Sequence, residues 1–271
     1  MPWTKLKNII LLILALANLF LLTMVVSQEL QDRQAREQTW QGAVRFLTQQ
    51  GVQVEERVIP QTMELSPQTV RRDLEGERAA ALALLGGEVS MEALGGEVYR
   101  YYNDSGSIQF HSYGAFSAQL EPAAFPVEGS PAQAAQAALS DIGFQGELLE
   151  EKEGALVFRQ TWAGAPLFNQ EVTVTCSEEG LTALENGHRL VGEPREDPSR
   201  RTISVSTALV SFLNGVSALG DVCSRMDAIQ PGYAVTPALS GGMTLTPVWR
   251  VTTDTGAYQL DTVTGQVTRL E

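Results

Sequence analysis

The stretch Leu167-Phe168-Asn169-Gln170-Glu171-Val172-Thr173-Val174-Thr175-Cys176 reads as a β-strand with two unlike faces. Phe168, Val172, Val174 and Cys176 fall on one side, and Asn169, Glu171, Thr173 and Thr175 on the other. A strand that is apolar on one side only belongs in an antiparallel sheet whose other face is solvated. Two further strands are expected before it, at about Glu147–Glu151 and Ala155–Trp162. An alanine-rich helix opening at Ser130-Pro131 and ending near Gly143 precedes them.

The same order recurs downstream. A helix near Ser206 is apolar at Leu209, Phe212, Leu213, Val216 and Leu219 and stops at Gly220. A strand near Val222–Ile229 follows. Leu245, Trp249 and Val251 then alternate with a mostly polar set: Thr244, Thr246, Val248, Arg250 and Thr252. A last hairpin turns at Asp254-Thr255-Gly256 and Thr264-Gly265. Helix followed by antiparallel meander, twice, implies an α+β fold with helices packed on one sheet face.

Upstream, Glu121 to Pro131 holds three prolines and a glycine and reads as a linker. Glu97–Tyr102 and Ser107–Tyr113 are expected to be strands around the turn Asn103-Asp104-Ser105-Gly106. Ser66-Pro67 reads as the start of a short helix to about Glu75, and the run Glu77–Leu85 fits helix or strand. Val52, Val54 and Val58 suggest a strand ending at Pro60. The domain division expected is 1–28 for tip and anchor, 29–127 for a first α+β domain, and 128–271 for two helix-meander units.

The N-terminus sets the compartment. Ile9 to Val26 runs for 18 residues without a charge, interrupted only by Asn18 and Thr23. Extended to Leu6 it approaches the ~20 residues that cross a bilayer. Lys5 and Lys7 precede it and Glu29 and Asp32 follow, so the positive-inside rule puts the N-terminus in the cytoplasm and the remainder outside the cell. A cleaved signal peptide is the competing reading, but Met24-Val25-Val26-Ser27-Gln28 offers no small-x-small site. Beyond the run the pattern turns amphipathic, with Trp40, Ala43, Val44 and Leu47 on one stripe and Gly51 as a stop.

Leu11, Ala15, Asn18, Leu22 and Val25 share a stripe of the apolar helix and form the expected transmembrane interaction face. Asn18 there either bonds a neighbouring helix or its own backbone. Cys176 and Cys223 are the only cysteines. In an oxidising compartment they either form a disulfide or stay apart as small buried hydrophobes.

Composition excludes some functions. Hydrophobic residues make up 44% and charged residues 19%, so the bulk is globular. The net charge is −13, and after Lys7 the only lysine is Lys152. With no basic patch, nucleic acid is not an expected partner. His111 and His188 have no metal or catalytic spacing, and no nucleophile elbow, P-loop or dinucleotide motif occurs. Asp254, Asp261 and Glu271 do not match a calcium loop. Glu147, Glu150, Glu151 and Glu153 read as a solvated hairpin rim. No catalytic residue, metal or cofactor is expected.

Three features resemble the YycI family of membrane-anchored regulators. They are Met1-Pro2-Trp3-Thr4-Lys5-Leu6-Lys7 leading into Ile9-Ile10-Leu11-Leu12, then Asn18-Leu19-Phe20-Leu21-Leu22, and a carboxyl end. In that end Leu245-Thr246-Pro247-Val248-Trp249-Arg250-Val251 precedes Gly256-Ala257-Tyr258 and Asp261-Thr262-Val263-Thr264-Gly265. Such an ending is also similar to PepSY-like domains. The resemblance implies a PepSY-like or YycH-like fold and a non-enzymatic role in two-component signalling and cell-wall homeostasis. Its implied partners are a YycH-like protein and a WalK-like sensor histidine kinase met in the bilayer. A tethered PepSY-type ligand-binding or protease-inhibitory module is the alternative.

Overall fold

The computed structural model describes residues 3–190, 192–238 and 242–270, with side chains described for all of these except 3–6, 8–12, 15, 26 and 28–36. Helix α1 runs unbroken over Trp3–Gln49, about 70 Å at 1.5 Å per residue. It stops where expected, at Gly51, whose φ of +82° a side chain would resist. Strand β1 is only Gln53–Val54, and a 3-10 turn at Glu56–Val58 replaces the rest of the strand expected up to Pro60.

Around Ser66 the sequence expectation fails. Gln68–Arg71 is strand β2, because it pairs with a later strand at Gly242–Leu245. The helix opens a turn afterwards: α2 is Leu74–Leu85, capped by Asp73, whose Oδ1 accepts the Gly76 amide at 3.0 Å. Glu75 and Glu77 in its first turn suit the positive end of the helix dipole. The Ala- and Leu-rich run that fitted either state is therefore helical. Four antiparallel strands follow it: β3 Ser90–Gly95, β4 Val98–Asn103, β5 Gly106–Phe110 and β6 Ala115–Leu120.

The arrangement then repeats. Helix α3 is Pro131–Asp141, and β7 Gly146–Lys152, β8 Ala155–Trp162, β9 Ala165–Cys176 and β10 Leu181–His188 form the second meander. After the short β11, Arg195–Glu196, comes α4, Val205–Ala218, with Ser204 Oγ accepting the Thr207 amide. The third meander is β12 Arg225–Ala238, β13 Gly242–Thr253, β14 Gly256–Asp261 and β15 Val267–Leu270. The chain is α+β, and a helix-and-meander at 74–120 precedes the two legible in sequence.

The first two units meet fourth strand to fourth strand. β6 pairs antiparallel with β10, Ala118 opposite Leu184 and Phe116 opposite Gly187. This makes eight antiparallel strands in the order β3-β4-β5-β6-β10-β9-β8-β7. Helices α2 and α3 cover one face, burying Ala81, Leu84, Ala135 and Leu139 against Ile108, Phe110, Phe158 and Val174. Packing thus runs continuously across position 127/128 and over the Glu121–Pro131 segment.

A second core joins the chain's two ends. Ala43 and Leu47 of α1 pack with Leu209, Phe212 and Val216 of α4 onto Trp249, Val251, Tyr258 and Leu260. Strand β13 is covered on both faces here: Val248 and Thr246, on its supposedly polar side, are buried as well.

The two bodies are stitched where β9 meets β12. One parallel residue pair links them, Tyr233 to Leu167. The Asn169 side chain then imitates a strand, donating to the Val235 carbonyl at 2.6 Å and accepting the Val235 amide at 2.8 Å. Arg250 donates to the Phe168 carbonyl at 3.1 Å and lies over the Phe168 ring. Gly232 is required beneath that ring, since a Cβ there would sit 2.5 Å from it. Asn169→Leu removes both amide bonds and leaves the N–H and C=O of the buried Val235 without these partners, so a loss of about 1–2 kcal/mol is expected in urea unfolding. Unchanged stability would show that the amide clamp contributes nothing.

Candidate interaction surfaces

The longest run of exposed apolar side chains among the described residues lies on α1. Ile13, Leu14, Leu16, Leu19, Phe20, Leu21, Leu22, Met24 and Val25 are each between 53% and 67% exposed, and they cover the helix all round. A helix apolar on every side needs burial in protein or lipid. Among the described residues no helix is long and apolar enough to cross a membrane; the side chains at 9–12, 15 and 26 of the run lie outside that set.

Of the expected interaction face, Leu11 and Ala15 also lie outside the described side chains, while Asn18, Leu22 and Val25 are exposed. Asn18 donates to the Leu14 carbonyl at 3.0 Å, so one amide proton is satisfied within its own helix. That is the local bond, of the two alternatives weighed for this residue.

Below α1's seat, a cavity of about 230 Å³ opens between Val58–Leu65 and the sheet, walled by Met63, Ile229, Pro231 and Trp249. A neighbouring hollow of about 370 Å³ is rimmed by Arg57 and Arg225. These arginines already pair with Glu55 and Asp227. The two carboxylates in the larger hollow's lining, Glu55 and Asp227, are thus each taken up by an arginine.

Charged groups elsewhere serve the fold. Glu77 is fully buried and takes two bonds from Arg72, at 2.7 and 2.9 Å. Burial disfavours the Arg72 charge, and the Glu77 carboxylate more than restores it. Arg189 is buried over the Phe110 ring and donates to the Ile142 carbonyl at the end of α3. Burial pulls its guanidinium down to about 10, which leaves it cationic at neutral pH. No sequence pattern pointed to either arginine: Arg72 is one of the charges in Arg71-Arg72-Asp73, and the groups around Arg189 come from distant segments.

The acidic cluster lies where expected, on the rim: Glu147, Glu150 and Glu151 line the exposed edge strand β7, and Lys152 pairs with Glu150. Charges on an edge strand discourage further strand pairing. Asp254 and Asp261 each use Oδ1 to bind turn amides, of Ser224 and Arg225 and of Val263 and Thr264. Glu271 lies outside the described residues. His111 follows β5 and His188 ends β10, and the two flank Ala115 of β6 from opposite sides, with that one strand between them.

Cys176 and Cys223 do not form the disulfide weighed from sequence. Both are free, Cys176 at the margin of the first core and Cys223 at the margin of the second. Burial raises both thiols, with help from Glu151 at Cys176 and from Asp254 at Cys223, which reaches about 11. At pH 8 about one Cys223 in a thousand is then thiolate, the reactive form. Alkylation of Cys223 in the folded protein at pH 8 should be at least roughly tenfold slower than in the urea-unfolded chain. Equal rates would contradict the burial.

No protein-family model matches the chain, and no curated protein sequence does. Among solved structures, one similar chain is an uncharacterized protein from Eubacterium rectale. It is 13% identical, covering 78% of this chain and 87% of that one, with a TM-score of 0.42. Another is the Bacillus megaterium YpeB C-terminal domain, 14% identical over 74% of this chain and 99% of that one, with a TM-score of 0.36. Likenesses this loose carry no argument about function. The class defined by the coordinates is an α+β protein of three helix-and-meander units with a long N-terminal helix.

Proposed function

We propose that this chain is a non-enzymatic, single-pass membrane protein that regulates a sensor histidine kinase through its N-terminal helix and its outer domain. The observation that carries the reading is the continuity of α1. One helix bears a circumferentially apolar length at one end and the core residues Ala43 and Leu47 at the other. Displacement or rotation of such a helix within a bilayer reaches the folded domain without an intervening joint.

The charge pattern supports an outer location for that domain, with Lys5 and Lys7 before the run and Glu29 and Asp32 after it. The resemblance of both chain ends to the YycI family supports a WalK-like kinase and a YycH-like protein as partners. The second reading, a PepSY-type binding or protease-inhibitory module on a tether, is favoured by the two hollows beside Arg57 and by the repeated units.

Two measurements separate these. A reporter active only outside the membrane should work when fused after Glu271; activity of a cytoplasm-only reporter there would overturn the topology. Exchanging residues 6–26 for an unrelated apolar helix should abolish kinase regulation while the protein still inserts. Full regulation by the exchanged protein would reduce α1 to a tether and favour the second reading.

A further inference from the structure

The chain contains two Asn-Gly pairs, Asn186-Gly187 and Asn214-Gly215. Such a pair is chemically vulnerable, because glycine has no side chain to hinder attack by its backbone nitrogen on the asparagine carbonyl carbon. Whether the attack occurs depends on the freedom of the asparagine side chain and of the peptide between them.

The fold treats the two pairs differently. Asn214-Gly215 lies inside α4, where helix geometry turns the Gly215 N–H toward the carbonyl four residues back. Asn186-Gly187 lies in β10 at a break in register, between Leu184 and Gly187, where pairing with β6 shifts. Asn186 is exposed and adopts a left-handed φ of +51°. Among the described residues its side-chain amide makes no hydrogen bond, and its backbone carbonyl lies 3.3 Å from His188 Nδ1.

We propose that Asn186 is a site of spontaneous deamidation in the folded protein, and that Asn214 is not. The Gly187 nitrogen bonds to Asn186 Cγ, the Cγ–Nδ2 bond breaks, and Nδ2 leaves as ammonia, giving a cyclic imide. Water then opens either imide carbonyl. One product is aspartate at position 186; the other is isoaspartate, whose backbone is longer by one methylene.

The position gives the change a structural consequence. Gly187 faces the Phe116 ring across the seam between the first two units, with no room for even a Cβ. A lengthened backbone beside it forces β10 to shift against β6. Either product also adds a carboxylate next to the exposed Glu185.

The test is peptide mapping by mass spectrometry after prolonged incubation of the full-length protein at mildly alkaline pH, folded and in urea. Asn186 is expected to lose its amide in the folded protein, yielding both products, while Asn214 keeps its amide until the chain is unfolded. Retention of the Asn186 amide in the folded protein would overturn the proposal. So would conversion of both asparagines in step under folding conditions.

Discussion

Seating the end of α1 is the constraint on which the molecule's long-range organisation depends. Leu47 is completely buried and Ala43 nearly so, in a core shared with Val52, Ile59 and the last 70 or so residues of the chain. An aliphatic side chain buried to this degree contributes about 2–5 kcal/mol when compared with alanine. That is a large share of a domain's net stability. The helix therefore enters as a core element rather than as an appended stalk, and its direction is fixed by packing against α4.

From that core the architecture builds outward by strand pairing. The third meander receives β2 on the same edge of β13 that carries β14, which returns the N-terminal segment to the sheet before α2 begins. The eight-stranded body then joins β12 through one backbone pair, the Asn169 clamp, Arg250 and a small third core in which Ala165, Leu167 and Leu190 pack with Tyr233, Val235 and Leu245. Trp162 and Tyr233 add hydrogen bonds to Gln68, so the same junction also holds β2. Polar side chains do here what a backbone ladder does within each meander. This leaves the junction narrower than the cores on either side.

Local pattern made much of this legible. β8 begins and ends where its alternation does, α3 opens at the expected Ser130-Pro131, and α4 opens close to the expected Ser206, capped by Ser204. The misses have a common physical cause, which is that the deciding partner is distant. Gln68–Arg71 has no strong strand signal and becomes a strand because Gly242–Leu245 offers an edge. Val248 falls on a face otherwise made of Thr244, Thr246, Arg250 and Thr252, yet it is buried. The first helix-and-meander was half visible: β4 and β5 were read, but α2 was ambiguous and its cap was misplaced by seven residues, from Ser66 to Asp73. For the candidate surfaces, the apolar length of α1 was plain from sequence. The Arg72–Glu77 pair and the Asn169 clamp were not, because neither follows from spacing along an element.

A regulator built this way works by moving one continuous helix whose far end is locked into the outer domain. That account stands or falls on the polar stretch between the apolar run and Trp40, which must stay helical in a lipid bilayer. Spin labels placed at Ser27 and Thr48, with Cys176 and Cys223 replaced by alanine, measure it directly by pulsed dipolar spectroscopy. An unbroken helix puts the two backbone positions about 32 Å apart, so a narrow distance distribution near that value is predicted. A broad distribution, or a distinctly shorter distance, would mean a joint between anchor and domain and would contradict the account.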